Sequence, residues 1–179
     1  MGIFFRRREP TLLESIAQPA LQAVDLSERL GVEAGFTICR DELGQIKTGN
    51  VVAGARKSIR LPSCQTEPGD QAVGDFHAHE DYAGPTAGDY QHLLSMAFRD
   101  EMAGRRRDEF YQCFAGLKVG QASCWRFTPD EELRAKFHRV AAQRRTGSRD
   151  VPEQFAGVEL KMREVERKSL AELQELIRR

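Results

Sequence analysis

The sequence GDFHAH at residues 74–79, followed by PTAGD at residues 85–89, contains the features that organise the rest of the chain. The run from residue 72 to residue 77 is short and apolar, which indicates a buried strand that ends at the histidines. His77 and His79 are two residues apart, so on an extended strand both imidazoles project from one face. Two imidazoles in that arrangement can bind one ion.

Asp89 follows His79 by ten residues and is predicted to lie about one turn into a helix. Thr86 can cap the start of this helix, and the preceding Gly84-Pro85 pair bends the chain back toward the histidines. Two nitrogens and one carboxylate oxygen leave a fourth tetrahedral position for water, as in catalytic zinc sites. One zinc ion per chain is therefore predicted. His92 shares the helix face of Asp89 but stays outside the predicted site, because such a residue more often packs or faces solvent.

The whole pattern resembles the JAMM (JAB1/MPN/Mov34) metalloproteases, and more particularly their compact prokaryotic members. That family combines an upstream glutamate with H-x-H and then Ser-x-x-Asp. Here Glu33, the histidine pair, and Thr86 with Asp89 stand at those places, while Glu42 is a second upstream glutamate. An H-x-H pair by itself is a weak signal, because histidines also meet by chance at strand ends. The resemblance covers roughly residues 10–127 and implies a JAMM/MPN-like mixed β-sheet flanked by helices.

The resemblance also implies a role for each residue. His77, His79 and Asp89 bind zinc, and Glu33 handles the proton of the metal-bound water. Thr86 takes the place of the serine that steadies the tetrahedral intermediate. Threonine departs from the family pattern, and the loop before it is one residue shorter than the commonest spacing. A threonine hydroxyl can still donate to an oxyanion, but a pure helix cap is the alternative reading.

The implied reaction is hydrolysis of an isopeptide or peptide bond after the C-terminal tail of ubiquitin or a ubiquitin-like protein. The substrate is then a ubiquitin-like protein or its conjugate, and ubiquitin-like activating or conjugating enzymes are the expected pathway partners. Residues 58–70 and 99–108 are predicted walls of the substrate groove. The arginines at 105–107 either meet an acidic substrate surface or form a solvated turn. A non-catalytic binding module and a DNA-repair-associated JAMM-like module remain as alternatives.

The composition fits one soluble catalytic unit. Of the 179 residues, 30% are charged, with 27 Lys and Arg against 27 Asp and Glu, so no overall field favours a nucleic-acid partner. No segment reaches membrane-spanning length and no secretory signal is recognisable, so we predict a cytoplasmic protein without a membrane partner. The cysteines lie far apart without a C-x-x-C pair and are predicted to be reduced, buried thiols: Cys39, Cys64, Cys113 and Cys124.

The remaining periodicities predict an α+β fold. The expected elements are a helix over residues 11–30 kinked at Pro19, a hairpin of strands over 32–40 and 45–52, a short strand over 57–61, and a second hairpin of strands over 109–117 and 121–127. Beyond Pro129 the composition favours charged helices over 130–145 and 151–179. We therefore predict a metalloprotease domain at 1–128 and a helical C-terminal extension at 129–179. The last helix can pack on its own domain, form an oligomer with another subunit, or receive a partner.

Overall fold

The computed structural model describes residues 8–64, 69–145, 155 and 161–178. Its elements in chain order are α1 (Leu12–Ser15), α2 (Ala17–Leu30), β1 (Ala34–Arg40), β2 (Ile46–Thr48), β3 (Val52–Ala53), β4 (Gln71–His79), α3 (Ala87–Met102), β5 (Phe110–Gly116), β6 (Gln121–Phe127), α4 (Glu131–Arg145), β7 (Met162–Ser169) and α5 (Leu170–Arg178). Within these described residues, seven strands form one sheet in the order β2-β1-β4-β5-β6-β7, and β3 also pairs with β1. Of the strand pairs in this described part, only β4 and β5 run parallel. The predicted mixed sheet flanked by helices is confirmed, whereas a JAMM/MPN-like fold stays a prediction.

Strand β4 lies inside the sheet, and both of its faces are covered. On one face, Phe76 and Ala78 pack with apolar residues of α2 and with Leu173 of α5 in a continuous core. The residues of β4 from Val73 to His79 are all buried, and on the opposite face of the sheet a second core joins Leu93 of α3 to Phe137 of α4 and to β5 and β6. Burying one such Phe or Leu side chain stabilises the fold by about 1.5–3 kcal/mol. The strand that carries the two histidines is therefore held from both sides.

The first helical region breaks at Ile16 and not at Pro19. Thr11 and Glu14 form a capping box on α1, and α2 starts at Ala17. Pro19 then falls in the first turn of α2, where backbone N–H groups have no helical acceptor, so its missing N–H disturbs nothing. The predicted kink at Pro19 was wrong for that reason.

Both predicted hairpins are present, but the short strand over 57–61 is not. Within the described residues, that region contains only an isolated bridge between Ala55 and Ser58. A tight turn at Arg56 and Lys57 folds the chain back on itself. A run of residues longer than this bridge is therefore not available to pair as a strand. Gly120, with a φ of 63°, lies in the turn that joins β5 to β6.

The C-terminal region is not helical throughout, because residues 162–169 form strand β7. Its charged residues favour helix by propensity, but β7 pairs with the edge of β6, where Glu166 lies opposite Cys124. Pairing gives hydrogen-bond partners to backbone N–H and C=O groups of β6 that would otherwise lack them. This gain outweighs the local preference of the sequence for helix. Glu166 also accepts hydrogen bonds from the Thr11 hydroxyl and the Leu13 N–H, which ties β7 to α1.

Among the described residues of the predicted last helix, Leu170–Arg178 are helical, as α5, and residues 151–154 and 156–160 lie outside the described part of the chain. Helix α5 packs against α2 through the buried Leu173. Because β7 belongs to the same sheet as β1–β6, the segment after residue 129 is not a purely helical extension. The division into 1–128 and 129–179 and the oligomer through the C-terminal helix stay predictions.

The four cysteines form two disulfides, so the prediction of reduced thiols was wrong. Cys39 is bonded to Cys64, and Cys113 is bonded to Cys124. Cys113 and Cys124 lie directly opposite each other on β5 and β6, with Cα atoms 4.0 Å apart. The register of the strands creates this proximity, and sequence spacing does not reveal it. The predicted cytoplasmic location relied partly on reduced thiols and stays a prediction without that support. None of the helices in the described part of the chain is long and apolar enough to cross a bilayer.

Candidate metal centre

Three of the predicted site residues meet where the end of β4 faces the start of α3. The Nε2 atom of His77 lies 2.9 Å from Oδ1 of Asp89, and Nε2 of His79 lies 3.7 Å from Oδ2 of the same carboxylate. One ligand atom from each residue lies within 4.8 Å of the other two. The structure therefore brings His77, His79 and Asp89 together as a group that could hold a metal ion.

The donor set fits a divalent transition-metal ion. Bonds of about 2.0–2.1 Å in a tetrahedral site place neighbouring ligand atoms roughly 3.3 Å apart. The two measured separations, 2.9 and 3.7 Å, lie on either side of that value. Two imidazoles and one carboxylate suit zinc, and imidazole also binds iron, copper and nickel. The geometry thus supports a metal centre without fixing which ion occupies it.

Both imidazoles are packed against Phe114 of β5. His77 meets this ring edge-on, with ring centroids 4.9 Å apart, and His79 stacks on it at 5.1 Å. The two histidines are only 5% and 8% exposed. Packing on both rings restricts their rotation, so the Nε2 atoms stay directed toward Asp89.

Asp89 is held by a capping box at the start of α3. Thr86 is the N-cap residue, and both its N–H and its hydroxyl donate to Oδ2 of Asp89 at 2.7 Å. The side chain of Gln112, fully buried on β5, donates to the backbone carbonyl of Asp89 at 3.2 Å. The cap predicted at Thr86 is thus present, and it orients the Asp89 carboxylate so that Oδ1 faces His77. An additional role of Thr86 as oxyanion donor stays a prediction.

The loop between β4 and α3 is tied to the neighbouring hairpin. The carbonyl of His79 accepts from the N–H of Leu117 at 2.9 Å, and the buried hydroxyl of Ser123 donates to the carbonyl of Ala83 at 2.8 Å. The hydroxyl of Tyr82 donates to the carbonyl of Pro85 at 2.8 Å. These contacts fix the distance between the histidines and α3, so the shortened loop still delivers Asp89 to the site.

Glu33 lies beside this group. It immediately precedes β1, where Gly35 is paired with His77, and two backbone hydrogen bonds to residues 54 and 55 fix its position. Glu33, His79 and Thr86 line a common cavity of about 450 Å³. Burial raises the pKa of the Glu33 carboxyl; the charge of Asp89 acts in the same direction, and that of His77 opposes it. A carboxyl with a raised pKa next to a metal centre is suited to carrying a proton.

Glu42, the other upstream glutamate, is far from the site. It follows β1 in an exposed turn and lies beside Gly69, near the end of the sheet where Arg40 pairs with Gln71. The six residues from there to His77 span about 20 Å of extended strand. Of the two candidates, only Glu33 is near the metal ligands.

The charges of the cluster are strongly coupled. Burial alone lowers the pKa of His77, but hydrogen bonds and charge interactions with Asp75 and Asp89 outweigh it and raise the pKa to about 10. Burial acts to raise the pKa of Asp89, yet contacts with His77 and Thr86 lower it to about 2. For His79, burial and then the charge on His77 lower the pKa. Without a metal ion, a proton on His77 therefore balances the negative charge of Asp75 and Asp89. A bound metal ion can neutralise that charge instead.

Asp75 is a contact of this site that the sequence interpretation missed. Its Oδ1 lies 3.2 Å from Nδ1 of His77, and its Oδ2 lies 3.6 Å from Nε2 of His92. The signal was present in the sequence, because Asp75 stands two residues before His77 and alternation places both on one strand face. His92 does not join the ligands but meets Asp75.

The two predicted groove walls, residues 58–70 and 99–108, line a cavity other than the one that Glu33 lines. Parts of residues 58–70 and 99–108 line a space of about 420 Å³ that also touches Asp75 and His92, and residues 65–68 lie outside the described part. Arg105 and Arg107 both pair with Asp100, and Arg106 pairs with Glu131. These arginines thus have partners within the chain, and their contact with an acidic substrate stays a prediction.

No protein-family model matches the sequence, and no match was found among curated proteins. The resemblance to the JAMM family therefore continues to depend on the motif residues themselves.

Proposed function

We propose that this chain is a zinc-dependent peptidase or isopeptidase that cleaves after the C-terminal tail of a ubiquitin-like protein. The observation that carries the proposal is the convergence of His77, His79 and Asp89 next to a cavity that is lined by His79, Thr86 and Glu33. The type of reaction is taken from the resemblance to JAMM metalloproteases. The role of Glu33 as proton carrier comes from the same resemblance, and the proximity of the three ligands to one another and to Glu33 supports it.

A zinc ion bound here would supply Lewis-acid polarisation of a carbonyl and would lower the pKa of a water molecule toward neutrality. His77, His79 and Asp89 would hold the ion, and Phe114 covers one side of the two imidazoles. Because the ligands come from a strand buried on both faces and from a capped helix start, they are organised before the substrate arrives. Such preorganisation is what a catalytic site requires.

Glu33 accepts a proton from the attacking water and delivers it to the departing amine. Its pKa, raised by burial, lies closer to neutrality than that of an exposed carboxyl, which improves both transfers. Its position at the wall of the cavity that also contains His79 brings it near the scissile bond. Glu33 is therefore assigned to proton transfer and not to metal binding.

Thr86 has a single hydroxyl proton, which it donates to Asp89 in the substrate-free protein. Donation to a developing oxyanion requires the hydroxyl to turn away from Asp89. The N–H of Thr86, which also donates to Asp89, keeps the capping box closed during that change. Thr86 can thus serve both the helix and the reaction, but turning costs one charge-assisted hydrogen bond.

The substrate tail enters the cavity between the end of α2, the turn at Arg56-Lys57 and Tyr82. A volume of about 450 Å³ is sufficient for a few extended residues, with small side chains favoured next to the metal. Ubiquitin-like activating or conjugating enzymes then belong to the same pathway.

The test is a cleavage assay with the full chain and a panel of ubiquitin-like proteins fused to a reporter. Wild-type protein should release the reporter, and a chelator should abolish release. Glu33→Gln should retain zinc and lose cleavage, whereas Glu42→Gln, the matched control at the far end of β1, should cleave normally. Chelator-resistant cleavage, or a fully active Glu33→Gln variant, would contradict the mechanism. Zinc binding without cleavage of any fusion would favour the non-catalytic binding module.

A further inference from the structure

We infer that Asp75 is a positioning residue of the metal centre, which holds His77 through Nδ1 so that Nε2 is presented to the ion. This inference depends on the proposed metal site and adds a residue that the motif does not contain. The inference is based on the contact between these two buried side chains, which lie on the same face of β4. Asp75 orients a metal ligand and does not contact the reacting atoms.

The two nitrogens of His77 have separate partners on opposite sides of the ring. Nδ1 lies 3.2 Å from Oδ1 of Asp75, while Nε2 lies 2.9 Å from Oδ1 of Asp89. An ionised carboxylate only accepts hydrogen bonds, so Asp75 requires the proton to be on Nδ1. The tautomer that remains has its Nε2 lone pair directed at the metal position. A second carboxylate behind a ligating histidine commonly has this function.

Burial gives the contact its strength. Asp75 is 2% exposed and His77 is 5% exposed, so water does not compete for either group. A buried carboxylate is costly unless charge or hydrogen bonds compensate it. Oδ2 of Asp75 has no hydrogen-bond partner among the described residues, and His92 at 3.6 Å is beyond hydrogen-bonding distance. Among the described residues, the side-chain hydrogen bond of Asp75 is therefore the one to Nδ1 of His77, which directs the carboxylate to this imidazole.

His79 provides an internal comparison. Its buried Nδ1 atom faces no carboxylate, and the hydrogen-bonding groups that act on this imidazole from its own loop are backbone groups of Tyr82 and Gly84. Of the two histidine ligands, only His77 has a carboxylate that fixes its tautomer. Loss of Asp75 should therefore disturb His77 and leave the coordination of His79 unchanged.

The experiment measures zinc affinity of the metal-stripped full chain by competition with a chromophoric chelator. Asp75→Asn should bind zinc roughly 10–100-fold more weakly than wild type. Asp70→Asn is the matched control, because its side chain is 2% exposed and contacts Lys47 at 3.7 Å, away from the histidines. The control should bind zinc with the wild-type affinity. Equal affinities for wild type and Asp75→Asn would overturn the inference.

A second measurement needs no variant. In the zinc-loaded wild-type protein, long-range proton–nitrogen NMR correlations should show His77 protonated at Nδ1 and coordinated through Nε2. Coordination of His77 through Nδ1 would overturn the inference even if Asp75→Asn failed to fold. Absence of zinc binding in the wild type would overturn the proposed metal centre together with the inference. Equal zinc binding by wild type and Asp75→Asn would overturn only the inference.

Discussion

Zinc uptake by the metal-free protein should release close to one proton per ion at pH 7.5. Without metal, His77 lies between the carboxylates of Asp75 and Asp89, which overcome burial and raise its pKa to about 10. At pH 7.5, well below this pKa, the imidazole is therefore protonated. His79 contributes little because its pKa is lowered by burial, and Asp89, with a pKa of about 2, is already ionised. Only His77 must lose a proton to become a ligand.

Competition between the proton and the metal ion for His77 fixes the direction in which zinc affinity depends on pH. Below the pKa of His77 the proton competes with the ion, so apparent zinc affinity should rise about tenfold for each pH unit. Between pH 6.5 and 8.5 the expected gain is about 100-fold, or about 2.7 kcal/mol.

Isothermal titration calorimetry in buffers of different ionisation enthalpy measures the proton count directly. The binding enthalpy plotted against buffer ionisation enthalpy should have a slope that corresponds to one released proton. Asp70→Asn, which leaves the cluster intact, should give the same slope. A slope of zero would mean that His77 is neutral in the metal-free protein and would refute the electrostatic account of the cluster.

Three further predictions concern the framework of the site. Thr86→Ala should lower the free energy of unfolding by about 1 kcal/mol in urea denaturation, because it removes the α3 cap, and should retain zinc; unchanged stability would refute the capping role. Gly35→Ala should reduce thermal stability strongly, since its Cβ would overlap the backbone of β4 next to His77, whereas Gly88→Ala meets only one atom at 3.8 Å and should be tolerated. A similar melting temperature for both glycine variants would contradict the close packing of β1 on β4. Reduction of the disulfide between Cys113 and Cys124, which are 11 residues apart in sequence, should lower the free energy of unfolding by about 3 kcal/mol. Thiol titration of the denatured, unreduced protein should detect no free thiol, and four titrating cysteines would contradict both disulfides.

The parts of the site that the sequence predicted are those encoded by short-range patterns. Alternation along an extended strand placed His77 and His79 on one face, and the spacing from Thr86 to Asp89 predicted a capped helix start. These signals need only a few consecutive residues and the geometry of one element. Asp75 belongs to the same alternating pattern, so its contact with His77 could also have been anticipated.

The parts that the sequence did not predict depend on contacts between distant segments. The composition of β7 favours helix, and only its pairing with the open edge of β6 makes it a strand. The disulfide partners are set by strand register and by the path of the segment after β3, which spacing does not reveal. The sequence already favoured Glu33 over Glu42, and the antiparallel pairing of β1 with β4 adds the physical reason, because it places the two glutamates at opposite ends of the strand.

Metal analysis of the purified full-length chain tests the metal centre most directly. Wild-type protein, and His138→Gln as a control at a surface histidine that pairs with Glu101, should contain about one zinc ion per chain. His77→Ala and Asp89→Asn should contain almost none after the same purification. A wild-type protein that binds no zinc even when zinc is supplied, or full zinc content in both ligand variants, would contradict the assignment of His77, His79 and Asp89 as a zinc site.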